Sequence, residues 1–194
     1  MSSAGRLRLL RHGETDWSRG FRHTGRTDIP LNSAGVEAAR ALAPLVTSWL
    51  PALVVSSPLS RAWDTALLAG LDPEMDEDLI EWDYGVYEGR TTANIRAELG
   101  DPHWSVFNST EGLGETVNEV GMRADAVLSR VVPTINAGRN VVLIAHSHLL
   151  RILAARWLDL PPDRGRSFAL APAASATLGF ERDTPAVLQW NVTV

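Results

Sequence analysis

The sequence predicts an α/β protein: a three-layer α/β/α sandwich with a mostly parallel central sheet. Short, largely apolar runs at 7–10, 53–56 and 141–145 have the composition of buried strands, because a strand that is covered on both faces lacks a polar side. Stretches with apolar residues at helical spacing follow these runs, and strands that alternate with helices are typical of parallel sheets. The length of 194 residues fits one domain, which we expect to span 1–194.

The composition excludes several classes of function. The net charge is -5 and all 18 basic residues are arginine, without basic runs, so we expect neither nucleic acid nor a membrane surface as a partner. The sequence has no cysteine, which excludes a thiolate metal site and a cysteine nucleophile. The N-terminal apolar run is too short for a signal peptide and no window reaches about 18 apolar residues, so we expect a cytoplasmic protein.

The first half of the chain begins with the strand at 7–10, which runs into the sequence RHGE. The stretch 16–31 is rich in glycine and arginine and has no sustained period, so we interpret it as a long functional loop. Asn32 or Ser33 can cap a helix whose apolar face continues to residue 50. The run at 53–56 is the next predicted strand, and a helix is expected over 60–69.

The second half contributes a long helix and the remaining strands. Thr116 followed by Glu119 is a capping box, and the amphipathic helix that it begins should end near Gly138. Pro133 lies within this helix and is expected to kink it or end it early, because proline lacks the backbone donor. The other predicted elements are a strand at 141–145, a helix at 147–158, and strands at the sheet edge at 176–180 and 187–190.

Polar sequences that suit an anion follow three of the predicted strands: RHGE, SSPLSR and AHSH. In open α/β sheets, ligands bind beyond the carboxyl ends of the strands. The guanidinium group of arginine matches phosphate oxygens and stays charged at any working pH, whereas imidazole titrates near neutral pH. The sequence therefore predicts one anion site that collects all three strand ends.

Four motifs in order give the chain a family resemblance. RHGET, SPLSRAWDTA, LIEWDYGVYEG and the AHSH after a strand together resemble the histidine phosphatase superfamily, which is also called the phosphoglycerate mutase-like family. RHG alone is a weak match, but the ordered set covers nearly the whole chain. Within the superfamily, WSRGFRHTGRTDIPL and EWDYGVYEGRTT are most similar to the sedoheptulose-bisphosphatase-like and small acid-phosphatase-like branches.

The resemblance implies a reaction through a phosphohistidine. His12 of RHG corresponds to the nucleophile, and Glu81 of LIEWDYG corresponds to the proton donor. His146 of AHSH corresponds to a second histidine that binds the transferring phosphoryl group when it is protonated. Glu88 of YEG is a second carboxylate near the proton donor. The positions that carry over as phosphate ligands are Arg11, Arg61, Ser18, Thr24, Gly25 and Ser147.

The expected substrate is a small phosphate ester of a metabolite, such as a sugar phosphate or bisphosphate. A wall of His23, Trp82, Tyr84 and Glu88 is expected to line its site. The phosphohistidine route needs no cofactor, and the histidines lack the spacing of a metal site, so we expect neither. A phosphoglycerate mutase and a non-catalytic phosphometabolite- or phosphoprotein-binding module are the alternatives. The resemblance implies that mutases have a longer chain with more basic residues over the site. This chain is short and has no lysine, which favours the phosphatase. A homodimer is compatible with the sequence.

Overall fold

A computed structural model describes residues 4–193 and contains a six-stranded sheet. The order across the sheet is β3-β2-β4-β1-β5-β6. The four strands from β3 to β1 are parallel to one another, β5 is antiparallel to β1, and β6 is antiparallel to β5. The strands are β1 (Leu7–Arg11), β2 (Leu53–Ser56), β3 (Glu74–Met75), β4 (Val141–Ala145), β5 (Ser175–Glu181) and β6 (Thr184–Val192). This arrangement confirms the mostly parallel sheet and each strand that the sequence predicted.

Helices cover both faces of the sheet. They are α1 (Asp16–Arg19), α2 (Ser33–Ala41), α3 (Ala43–Thr47), α4 (Ser60–Leu68), α5 (Thr92–Leu99), α6 (Val117–Asn136) and α7 (Ser147–Trp157). Short 3₁₀ turns occupy Glu77–Leu79, Gly85–Tyr87 and Pro162–Ser167. The predicted caps are present, since Asn32 caps α2 and Thr116 with Glu119 forms the capping box of α6.

Two hydrophobic clusters form the layers of the sandwich. Leu143 of β4 points to one face, where it packs in the cluster that includes the buried residues of α6 and α7. Ile144, the next residue, belongs to the cluster on the other face with residues of α3 and α4. Neighbouring residues of a strand point to opposite faces, so the strand is apolar throughout. The three-layer prediction is confirmed.

Three details of the prediction were wrong. The helix expected from Asn32 to residue 50 is two helices, because Pro44 lacks the N–H that would continue α2 and instead occupies the first turn of α3. Pro133 does not end α6 early, since the helix continues to Asn136 and buries Val131 and Ile135 on either side of the proline, while a kink at Pro133 stays a prediction. The loop at 16–31 contains the short helix α1.

Within residues 4–193, no helix is both long and apolar enough to cross a bilayer.

Candidate active site

The three polar strand ends meet, as the sequence predicted. β4 lies between β1 and β2, so the residues that follow these strands are neighbours. The His12 backbone N–H donates to the carbonyl of Ala145, and the rings of His12 and His146 have centroids 5.1 Å apart. His146 Nε2 lies 2.8 Å from the hydroxyl oxygen of Ser57, which follows β2. Both histidines are buried, with His12 only 4% exposed.

The loop after β1 passes very close to the start of α2. The Gly13 backbone N–H donates to the Thr65 hydroxyl at 3.0 Å, which ties the loop to α4. A Cβ atom added to Gly13 would lie 2.5 Å from the carbonyl oxygen of Gly35, closer than real contacts allow. Glycine is therefore required next to His12 by the close approach of two backbones.

Gly13→Ala is expected to destabilise the protein by about 1–3 kcal/mol and to displace His12, because the clash is with backbone rather than with a flexible side chain. Urea unfolding measures the first effect, and an activity assay measures the second. Gly20→Ala is the matched control, since its added Cβ would meet nothing closer than 3.4 Å and its φ is -83°. Equal stability of the two variants would contradict the close approach.

The His12 imidazole is arranged as a neutral nucleophile. Its Nδ1 lies 2.6 Å from the carbonyl oxygen of Gly13, and a carbonyl can only accept, so Nδ1 carries the proton. The lone pair is then on Nε2. Burial lowers the pKa of His12 well below the ordinary value, and the positive charges of Arg11 and Arg61 lower it further. The imidazole therefore stays neutral at physiological pH.

Arg11 supplies positive charge to the same place. Its Nη1 donates to the carbonyl of Leu170 at 2.7 Å, while its Nε is buried and has no partner among residues 4–193. Burial lowers the pKa of Arg11 to about 10, with Glu81 acting in the opposite direction, so the group remains charged at neutral pH. A buried donor without a partner is costly, and a bound anion next to it would relieve that cost.

Arg61 has a different position from the one expected of a phosphate ligand. It is fully buried, and its guanidinium donates to the backbone carbonyls of Thr24, Gly25 and Thr27 at 2.9–3.1 Å. Its Nε donates to His146 Nδ1 at 3.1 Å. In this structure Arg61 therefore holds the loop at 24–27 and the second histidine, and its contact with phosphate stays a prediction.

The hydrogen bond from Arg61 also sets the state of His146. Because Nδ1 accepts from the guanidinium, the ring proton belongs on Nε2, which donates to Ser57. Burial lowers the pKa of His146 well below the ordinary value, and the neighbouring charge of Arg61 adds to the effect. A protonated His146 that binds the transferring phosphoryl group stays a prediction.

Glu81 is held by the N-terminus of α7. Its Oε1 accepts from the backbone N–H groups of Trp82 and Leu149 at 3.0 and 2.9 Å, and its Oε2 accepts from that of His148 at 3.0 Å. The first N–H groups of a helix have no partner within the helix, and the dipole favours negative charge there. α7 therefore places one carboxylate beside the anion site.

Two residues that the sequence analysis missed fix the segment that carries Glu81. Arg123 of α6 donates to the carbonyls of Asp78 and Ile80 at 2.8 and 2.6 Å, and forms an ion pair with Glu115 at 2.8 Å. Glu115 in turn accepts from the backbone N–H of Asp83. These contacts join separate parts of the chain, so no local motif could have revealed them.

Arg11, His12 and Glu81 border a cleft of about 270 Å³, whereas His146 and Arg61 lie behind them and are not part of its lining. Of the predicted site residues, those that line it are Arg11, His12, Ser18, His23, Thr24, Glu81, Tyr84 and Ser147. The cleft is also lined by Phe21, Arg22, Thr92, His148 and Pro172, to which the sequence analysis assigned no contact with substrate. A larger groove of about 420 Å³ elsewhere has neither histidine nor arginine in its lining, so volume alone does not identify the site.

Trp82 and Glu88 do not line this cleft, contrary to expectation. Trp82 is fully buried and its Nε1 donates to the carbonyl of Glu115 at 2.8 Å, so the indole belongs to the core. The Glu88 carboxylate accepts from the backbone N–H groups of Gly25 and Thr27 at 2.8 and 3.1 Å. Both residues stabilise the surroundings of the site instead.

Gly25 and Ser18 also have other partners. The Gly25 N–H is bonded to Glu88, and the residue lies outside the cleft lining, so the structure does not present this amide to a ligand. The Ser18 hydroxyl donates to the carbonyl of Thr15 and accepts from its N–H, which completes the capping box of α1. Its single proton is thereby engaged, although the residue lines the cleft.

The buried histidines predict how stability depends on pH. Burial lowers the pKa of His12, His146 and His148 well below 6.5 and that of His23 to about 4. Below pH 6.5 the unfolded chain binds protons that the folded chain does not, so the free energy of unfolding should fall as the pH falls. For His23 the loss continues to about pH 4.

Urea unfolding of His23→Gln across this range checks the prediction. The unfolding free energy of the variant should depend less steeply on pH, by the contribution of about one proton that the unfolded chain binds and the folded chain does not. His103→Gln, which removes an exposed histidine, is the control. An unchanged slope in His23→Gln would contradict the prediction.

A buried neutral imidazole beside a charged guanidinium is suited to attack on an anion. The chain belongs to the histidine phosphatase superfamily (branch 1), whose sequence profile it matches over residues 7–193. The resemblance predicted from the four motifs is thereby confirmed.

Individual relatives agree with this assignment. The chain is 40% identical to an acid phosphatase of Mycobacterium tuberculosis (strain ATCC 25618 / H37Rv) over 179 residues, which cover 91% of this chain and 87% of the relative. It is 29% identical to sedoheptulose 1,7-bisphosphatase of Saccharomyces cerevisiae (strain ATCC 204508 / S288c), covering 78% and 67% of the two chains. The structure of a mycobacterial glucosyl-3-phosphoglycerate phosphatase in complex with VO3 superposes with a TM-score of 0.86 at 31% identity, covering 98% of this chain and all of that one (100%).

Proposed function

We propose that this phosphatase hydrolyses phosphate monoesters of small hydroxylated metabolites, sugar phosphates foremost, through a phosphohistidine formed at His12 Nε2. The observation that carries the proposal is the hydrogen bond from His12 Nδ1 to the Gly13 carbonyl, which leaves Nε2 as the free nucleophilic atom of a buried neutral ring. A neutral nucleophile approaches an anionic phosphoryl group without adding negative charge.

The first step forms a bond between His12 Nε2 and phosphorus and breaks the ester bond to the leaving alcohol. Glu81, protonated in the complex, gives its proton to the departing oxygen, because an alkoxide is a poor leaving group. A phosphate next to this carboxyl group favours its protonated form, since two negative charges at close range repel each other. Arg11, whose Nε has no partner among residues 4–193, offsets the charge of the phosphoryl oxygens.

The second step reverses these roles with water. Glu81, now a carboxylate, accepts a proton from the attacking water, the bond from Nε2 to phosphorus breaks, and inorganic phosphate leaves. His12 returns to its neutral form with the proton still on Nδ1, held by Gly13. Arg61 keeps the ring of His146 and the loop at 24–27 in place.

The relatives support the choice of substrate. One is named for a sugar bisphosphate and another for a glucosylated phosphoglycerate, so hydroxylated esters recur among them. The side of the cleft that includes His23 and Tyr84 carries neutral rings with polar atoms, which suit hydroxyl groups.

A substrate panel tests the proposal. Phosphate release is measured on glucose 6-phosphate, ribose 5-phosphate, fructose 1,6-bisphosphate and p-nitrophenyl phosphate, and the isomerisation of 3-phosphoglycerate is followed in parallel. Release from the sugar phosphates is the expected result. Isomerisation without release would make the protein a mutase, and binding without either reaction would make it a phosphometabolite-binding module.

A further inference from the structure

The imidazole of His148 is enclosed by aromatic rings at one side of the cleft. The centroids of the Phe107, Tyr84, His23 and Trp82 rings lie 5.3, 5.7, 6.1 and 6.2 Å from that of His148. The Tyr84 hydroxyl lies 2.6 Å from His148 Nδ1. Packing and this hydrogen bond together fix the position and the orientation of the imidazole.

Tyr84 also selects the tautomer of His148. Tyr84 is 2% exposed, and within residues 4–193 its hydroxyl has no other hydrogen-bond partner. The buried hydroxyl proton is satisfied when it is donated to Nδ1, which places the ring proton of His148 on Nε2. Burial lowers the pKa of His148 well below its ordinary value and raises that of Tyr84, so the pair stays neutral.

The Nε2 atom of His148 has no hydrogen-bond partner among residues 4–193, and the residue lines the cleft. Its own backbone N–H holds Glu81 Oε2 at 3.0 Å. Because Glu81 is the group that protonates the leaving oxygen, His148 belongs to the part of the site that receives the alcohol rather than the phosphoryl group.

Arg151 is a cation near His148 that does not line the cleft. Arg151 stacks over the Phe107 ring at 5.1 Å and donates to the backbone carbonyls of Gly165 and Arg166. The polar atom that His148 itself offers to the cleft is a neutral N–H donor, which matches a hydroxyl group better than a second phosphate.

From this geometry we infer that His148 determines specificity: its Nε2–H donates a hydrogen bond to a hydroxyl group of the leaving alcohol, and Tyr84 is the positioning residue that holds the required tautomer. The inference rests on the proposed function, because it concerns the alcohol half of the same ester. The favoured substrates are esters that carry a hydroxyl near the phosphate, such as phosphates of sugars and polyols.

The test uses two substrates that differ only in hydroxyl groups, glycerol 1-phosphate and propyl phosphate. The selectivity is the ratio of kcat/KM for the first to kcat/KM for the second. The wild type should prefer glycerol 1-phosphate, and His148→Phe should lower the ratio about 10-fold, as expected for the loss of one hydrogen bond to a buried group. Tyr84→Phe should lower it in the same direction, and His148→Gln, whose amide can donate, should restore part of it.

Tyr87→Phe is the matched control, since Tyr87 lies on the same segment but outside the cleft lining. An equal loss on both substrates in His148→Phe would show a merely structural role and overturn the inference. A wild-type ratio near one would also overturn it, while leaving the proposed function intact. No hydrolysis of any phosphate monoester by the wild type would instead refute the proposed function.

A second measurement does not depend on the folding of the His148 variants. In ¹⁵N-labelled wild type, the His148 signals should show the proton on Nε2, and in Tyr84→Phe they should show a mixture of tautomers. A proton on Nδ1 in the wild type would overturn the inference, because Nε2 would then have no hydrogen to donate.

Discussion

Replacing His12 by alanine should lower the rate of phosphate release by about 10⁴-fold or more, because removal of the nucleophile in covalent catalysis typically lowers kcat by that much. The neighbouring imidazole of His146 cannot substitute for it. The rings of His146 and His12 are close, with centroids 5.1 Å apart, but both nitrogens of His146 are engaged, with Arg61 and Ser57. The remaining binding groups, Arg11 above all, are untouched by the substitution.

Steady-state phosphate release and phosphate affinity, measured on the same preparation, check this prediction. His12→Ala should lose turnover and keep its affinity for inorganic phosphate, because Arg11 remains. His103→Ala removes an exposed histidine and serves as the control for the substitution itself. Turnover in His12→Ala within about tenfold of the wild type would be incompatible with a covalent role, because the loss of even a general acid or base typically costs about 10²–10⁴-fold.

Glu81→Gln should have the second largest effect, and the size of the effect should depend on the leaving group. With sugar phosphates, whose alkoxide must be protonated as it leaves, kcat should fall about 10²–10³-fold. With p-nitrophenyl phosphate, whose phenolate departs without a proton, the loss should be much smaller. The contrast separates proton donation from the structural contacts of Glu81, which both substrates need equally.

Those contacts are substantial, so the comparison of the two substrates is essential. The Glu81 carboxylate accepts hydrogen bonds from three backbone N–H groups. The NH₂ group of a glutamine would point a donor at one of these donors, so that hydrogen bond would be lost. Glu77→Gln is the matched control, because Glu77 is an exposed carboxylate on the same segment. Equal losses on alkyl and aryl substrates would remove Glu81 from the role of proton donor.

The strands, long helix and strand ends of this protein were predictable because their signals are local. β4 is five consecutive apolar residues, all buried, and the polar residues after it can only lie at the end of the sheet. β3 was not predicted, since it is two exposed residues that pair only because β2 is beside them. α5 was missed for a similar reason, since it buries Ile95 alone and shows little apolar periodicity.

The direction of the site side chains was less predictable than their location. The motifs correctly brought Arg61, Glu88 and the loop at 24–27 to one neighbourhood. Whether a guanidinium faces the ligand or a backbone carbonyl depends on the path of that loop, which no local pattern encodes. In the structure, Arg61 binds the carbonyl of Gly25 and Glu88 binds its N–H, so the two charges support the loop from both sides.

The contribution of His148 could not be read from the sequence at all. AHSH marks a strand end, but the tautomer of its last residue depends on Tyr84, which lies 64 positions earlier in the chain. Only the fold brings the phenol and the imidazole together. The sequence motifs contain the residues that act on the phosphoryl group. The residues that recognise the alcohol come together only through contacts between distant segments.

The most direct test of the proposed mechanism is the identity of the atom that carries the phosphoryl group during turnover. Enzyme mixed with excess substrate is quenched in alkaline denaturant, which preserves phosphohistidine, then digested and examined by mass spectrometry and NMR. We expect a phosphoryl group on Nε2 of His12, because Nδ1 is bonded to Gly13. If the intermediate does not accumulate, hydrolysis of a chirally labelled ester should proceed with net retention at phosphorus. A phosphoryl group on any other atom, or inversion at phosphorus, would contradict the proposed mechanism.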